Sequence, residues 1–116
     1  MAFTASVQLK NCPFSYEIDP KIKKYTLLDN TFLQNKLGHF ELTRLLEEIP
    51  NSGEGFLLKI IINKDLNGFK INITDKSGLR IIDIFKPDAN PVIQQKFFFL
   101  MDSLVERDVF NKIERK

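Results

Sequence analysis

The stretch NKDLNGFKINITDKSGLR, residues 63–80, sets two turn signals, Asn67-Gly68 and Ser77-Gly78, inside a β-rich segment. Asn-Gly is a strong hairpin signal, because a two-residue type I′ turn needs positive φ at both central positions. Such a turn pairs Leu66 with Phe69 and sets Ile62 opposite Ile73. Side-chain parity then gathers Phe56, Leu58, Ile60, Ile62, Phe69, Ile71 and Ile73 on one face. A three-residue loop would mix Lys59 and Asn63 into that set, so the two-residue turn is favoured. A two- or four-residue turn over Ser77-Gly78 adds Ile82 and Ile84. The opposite face carries Leu57, Lys59, Ile61, Asn63, Lys70, Asn72, Thr74, Leu79, Ile81, Asp83 and Phe85. The segment therefore reads as a three-stranded meander with one apolar and one mixed face.

The next segment supplies a cover for the apolar face. Asn90 suits an N-cap and Pro91 a first helical position. Ile93, Phe97, Leu100, Met101 and Leu104 recur at helical spacing, widened by Phe98 and Val105, while Gln94, Gln95, Asp102, Glu106 and Asp108 form the polar side. A helix of roughly 18 residues would span about 27 Å, enough to cross several strands. The terminal NKIERK is charged and is expected to fray.

Upstream, Phe3, Ala5, Val7 and Leu9 alternate with Thr4, Ser6, Gln8 and Lys10, a strand period that Cys12-Pro13 interrupts. Phe14, Tyr16 and Ile18 resume it. Asp19-Pro20 resembles a cap and first-turn proline, which predicts a short helical connection over residues 20–25. Residues 25–46 offer Leu42, Leu45, Leu46 and Ile49 at helical spacing. They also offer Phe40, Leu42 and Arg44 at period two after a turn around Lys36-Leu37-Gly38. The hairpin is favoured, because Thr, Phe and a central Gly suit it. IPNSGEG, residues 49–55, reads as a loop.

These elements imply one α+β domain over residues 1–116. An antiparallel sheet of six or seven strands carries a long C-terminal helix on one face. Eleven phenylalanines against two tyrosines and no tryptophan point to core filling, since Phe has no polar group to satisfy. A net charge of +2 is small for a nucleic-acid binder. One cysteine excludes an intramolecular disulfide. No apolar run approaches the roughly 20 residues that cross a bilayer, and the start lacks a signal-peptide pattern. A cytoplasmic protein is expected.

The start MAFTASVQLKNCPFSYEI, the loop PNSGEGF, the block INKDLNGFKINITDKSGLR and the helix segment KFFFLMDSLVER resemble a family of small proteins from lactic-acid bacteria and relatives, domain of unknown function 1831. The resemblance covers essentially the whole chain. It implies a TATA-binding-protein-like fold, a curved antiparallel sheet with helices on one side. It brings no established activity and no catalytic residues. The family's gene neighbourhoods, which include cysteine desulfurase and tRNA-thiolation enzymes, imply those as partner candidates.

The residues offer little for catalysis. His39, the single histidine, falls beside Gly38 in the expected turn, and any Ser-His-Asp arrangement would have to use it. Cys12 is a candidate sulfur carrier, because Lys10 nearby could lower its thiol pKa; a bystander thiol at a strand end is the plainer reading. Asn63, Asp65, Asn67 and Gly68 mimic the start of a calcium loop, but Thr74 stands where the final glutamate belongs. Adjacent Glu47 and Glu48 would point apart on a strand. No metal or cofactor is expected. Binding remains, and the mixed face supplies Lys59, Lys70, Ile81, Asp83 and Phe85 as candidate residues for a protein partner. The same face with Lys59, Lys70 and Arg80 is the alternative, a nucleic-acid surface. The oligomeric state is left open.

Overall fold

The computed structural model describes residues 3–47, 49 and 55–114. Among the described residues, seven strands and two helices follow in the order β1 (Ser6–Val7), β2 (Phe14–Ile18), α1 (Lys24–Asp29), β3 (Leu33–Gln34), β4 (Phe40–Leu46), β5 (Phe56–Ile62), β6 (Phe69–Thr74), α2 (Pro91–Glu106) and β7 (Phe110–Glu114). They form two antiparallel sheets, β1-β2-β7 and β3-β4-β5-β6, instead of one. An isolated bridge couples them: Thr4 and Phe69 exchange both main-chain hydrogen bonds, at 3.2 and 2.8 Å.

The expected alternation holds in the four-stranded sheet. Leu58, Ile60, Ile62, Phe69, Ile71 and Ile73 are buried on one face, against Ile93, Phe97, Met101 and Leu104 of α2. Asn90 caps α2 as its sequence position predicts, its side chain accepting from the Val92 amide at 2.8 Å, with Pro91 in the first turn. Phe97 anchors an aromatic cluster with Tyr16, Phe85 and Phe98.

The register differs from the expected one. Ile62 pairs with Phe69, and Leu58, not Ile62, faces Ile73. Residues 63–68 form a longer loop because the Asn63 side chain organises it, its carbonyl accepting from the amides of Asn67 at 3.0 Å and Gly68 at 3.2 Å. Positive φ falls on Leu66, at 58°. Gly68 serves a different purpose: a Cβ there would lie 3.0 Å from the Phe3 Cβ. The Asn63-Asp65-Asn67 cluster is thus a hairpin loop bonded to itself.

The third strand of the meander shrinks to a single bridge, Thr74–Ile81, with one further bond from the Ile82 amide to the Ile73 carbonyl at 2.9 Å. The turn before it is a four-residue one, closed by the Asp75 amide on the Arg80 carbonyl at 2.9 Å with Gly78 at φ 80°. Asp83 then ends the strand by accepting the Phe85 amide at 2.9 Å. Phe85 consequently leaves the mixed face and packs on Phe97 and Phe98.

Two further expectations change. Asp19 caps a turn at Lys21, at 2.8 Å, and the helix starts later, at Lys24. The segment expected to fray is β7 through Glu114, paired along β2 from Phe14–Glu114 to Ile18–Phe110. The 35–39 turn and the β3–β4 hairpin form as expected. Residues 50–54 of the IPNSGEG loop, and Glu48, lie outside the described residues.

Candidate functional site

Strand register builds the outer face of the four-stranded sheet in rows. One row is Glu41, Ile61 and Lys70, the next Thr43, Lys59 and Asn72, the third Leu45, Leu57, Thr74 and Ile81. Charge on the first two rows is matched locally. The Lys59 ammonium lies 3.4 Å from the Glu41 carboxylate, which Asn35 also bonds at 2.6 Å. The Asn35 hydrogen bond, with Lys59 beside it, holds the Glu41 carboxyl below the usual carboxylate range. Lys70 sits 4.7 Å from the Phe3 ring centre, a cation–π contact. The third row carries no charge: Leu57 and Thr74 are half-buried, and Leu45 and Ile81 are exposed at its two ends, Ile81 at 75%.

That row continues around the sheet edge. Leu45 also lines a cleft of about 640 Å³ between β4 and α2, together with Arg44, Leu46, Val92, Gln95, Lys96, Phe99, Leu100 and Ser103. On α2 these residues recur at steps of three and four, which makes them a second stripe beside the core stripe. Leu46 is buried and forms the floor, whereas Phe99 is 81% exposed at the rim. The result is a largely apolar band, Leu57–Leu45–Phe99, running from the outer face over β4 onto the helix, with Ile81 beyond Thr74 at its far end.

The predicted site residues divide. Ile81 lies at the far end of the band, and Lys59 and Lys70 flank it on the same face. Ile81, Asp83 and Phe85 come together in a second cavity of about 500 Å³, between residues 7–10 and β6. Asp83 is engaged there, accepting from Asn11 at 2.9 Å. Cys12 is buried, and burial pushes its thiol pKa up, against the smaller opposing effects of the Phe14 main chain and Lys112. The ammonium that acts on it is thus Lys112, not Lys10. His39 braces two hairpin tips, its Nδ1 accepting from the Lys64 amide at 3.1 Å and its ring lying 4.9 Å from that of Phe3. Among the described residues no three His, Cys, Asp or Glu side chains gather as a metal site. No helix among them is long and apolar enough to cross a membrane.

Arg44, Lys96 and Phe99 were not candidates from sequence. Phe99 carried a usable signal: it interrupts the polar side of α2 between Gln95 and Asp102.

A family profile described as "DUF1831: Putative amino acid metabolism" matches residues 1–111. The chain belongs to the DUF1831 family. Its structure is similar to the crystal structure of a DUF1831 family protein from Lactobacillus plantarum, with 34% identity and a TM-score of 0.88. That similarity covers 97% of this chain and 98% of the other, so the arrangement of strands and helices is shared along almost the whole DUF1831 chain. Neither match is to a TATA-binding protein. No curated protein matches.

Proposed function

We propose that this DUF1831 chain is a protein-interaction module that binds its partner through the Leu57–Leu45–Phe99 band and Ile81 at its far end. The observation that supports this reading is the grouping of exposed Leu45 and Phe99 about the cleft between β4 and α2, with Leu57 beside Leu45 and exposed Ile81 at the end of the same row. Single exposed apolar residues are ordinary, but several grouped on one side of a domain mark a contact surface. The cations of the outer face favour a protein over a nucleic acid, since Lys59 is paired with Glu41 and Lys70 rests on Phe3. An enzyme of sulfur transfer or tRNA thiolation is the partner to test first. The family description, putative amino acid metabolism, fits a partner such as cysteine desulfurase, whose substrate is an amino acid.

The test is affinity purification of tagged protein from its own host, with and without nuclease, for the native chain and for Ile81→Asp and Phe99→Asp. A stoichiometric protein that survives nuclease and is lost with either variant is the expected result. Loss with nuclease would instead move the function to RNA or DNA through Lys59, Lys70 and Arg80. Retention by both variants would remove the band from the account.

A further inference from the structure

The cleft between β4 and α2 has three properties that define what it takes. It is elongated: the α2 stripe runs from Val92 to Ser103, three turns, roughly 16 Å at 1.5 Å per residue. It is open at one end: β3 pairs with β4 only at Phe40 and Glu41, Thr31 lies against Arg44, and past it Leu45 and Leu46 have no strand beside them on that side among the described residues. It is cationic at its rim. Arg44 reaches the Thr31 hydroxyl at 2.6 Å and Lys96 stands on the facing helix, and the described residues supply an ion pair to neither. Between these charges lie Leu45, Leu46, Val92, Phe99 and Leu100.

We infer that this groove receives an extended segment of the partner protein, about five residues long, that alternates apolar side chains with carboxylates. The inference rests on the interaction-module reading and specifies its partner. A volume of about 640 Å³ would suit a small ligand or a short peptide alike; the elongated shape, with a cation on each wall, argues for an extended polypeptide segment. The end of β4 past Arg44 leaves room for main-chain hydrogen bonds to an added segment at Leu45 and Leu46, the mode in which affinity comes from the backbone and selection from alternate side chains. Such a segment would direct one set of side chains to the Leu46–Leu100 floor and its neighbours toward solvent and the rim. There Arg44 and Lys96 select carboxylates, and complementary charge raises the association rate and excludes basic competitors.

The probe is a capped five-residue peptide of alternating leucine and glutamate, with a control in which lysine replaces glutamate. Both are titrated into isotope-labelled full-length protein and followed by amide chemical shifts. The acidic peptide should shift amides of Thr43–Leu46 and of the Val92–Ser103 stripe, and bind at least tenfold tighter than the basic one. The double variant Arg44→Glu, Lys96→Glu, its fold verified by the dispersion of the same spectrum, should reverse that order. Equal binding of both peptides, or shifts elsewhere, would overturn the inference. Octanoate reproducing the same shifts more tightly than the acidic peptide would overturn it in favour of a small acyl ligand. Shifts that follow protein concentration without peptide would assign the groove to a second copy of the chain. The two readings fail separately. If Phe99→Asp abolishes partner capture and the double charge reversal does not, the groove inference falls and the module reading stands. Should Ile81→Asp and Phe99→Asp both leave capture intact, the module reading falls first.

Discussion

Helix α2 carries Phe97 and Phe99 two residues apart, and they live in different environments. Phe97 is 0% exposed, edge-on to Tyr16 and Phe85, whereas Phe99 is 81% exposed at the groove rim. Both stripes of this helix face β-structure. The Ile93–Phe97–Met101–Leu104 stripe meets a complete layer of Leu58, Ile60, Ile62 and Ile71 and is sealed. The Val92–Phe99–Ser103 stripe meets the end of β4, where among the described residues no further strand closes the packing. The difference is one of neighbours, not of side-chain chemistry. An apolar residue is core only where the opposing element extends far enough to cover it.

Substitution of the two rings gives the sharpest contrast. Phe97→Ala should destabilise by about 4 kcal/mol, the usual cost of emptying a sealed aromatic site. Phe99→Ala should stay within about 0.5 kcal/mol, as exposed positions do. Urea denaturation measures both, and a loss above about 2 kcal/mol for Phe99→Ala would make the groove part of the core.

Gly55, immediately before β5, bears on the open stripe. A Cβ at Gly55 would lie 2.1 Å from the Leu46 main-chain oxygen, and backbone cannot yield as a flexible side chain does. Gly55→Ala should therefore cost about 3 kcal/mol in the same measurement and move the groove floor at Leu46. A neutral result would show that the end of β4 is free to adjust.

On the sealed side, the Tyr16 hydroxyl is buried with no hydrogen-bond partner among the described residues, and burial raises its pKa far above the ordinary value. Removing a buried hydroxyl that bonds nothing relieves its desolvation cost. Tyr16→Phe should stabilise the protein by about 1 kcal/mol; destabilisation by a similar amount would reveal a bond to that hydroxyl.

The smallest expected effect concerns Glu41, on the outer face. Its folded pKa is depressed, so its contribution is complete above the unfolded value near 4.5 and lost as pH falls through the folded one. Glu41→Gln should cost less than about 1 kcal/mol at pH 7, because the Glu41–Lys59 pair is partly solvated. The gap between variant and native stability should close by pH 2. A gap that persists there would place the effect in the amide itself and not in the charge.

Much of this was legible before any coordinates. Alternation in residues 56–73 assigns the buried face, and that assignment survives the register error, because an even shift keeps every side chain on its own face. Asn90-Pro91 marks the start of α2, since capping is a local exchange between adjacent residues. The candidate site was read less well. Lys59, Lys70 and Ile81 do share the outer face, but Phe85 packs half-buried against the core and Asp83 enters a turn, because the strand carrying them ends after one bridge.

The sequence by itself thus determined what depends on near neighbours: which faces are apolar, where α2 begins, where the chain turns. Tertiary structure decided what depends on distant ones. β7 is a strand because β2 lies beside it, not because a charged NKIE segment favours one. Register followed from Asn63 bonding across its own loop. The groove exists because β3 is too short to cover β4, and the length of one element against another is written in no single stretch of the chain.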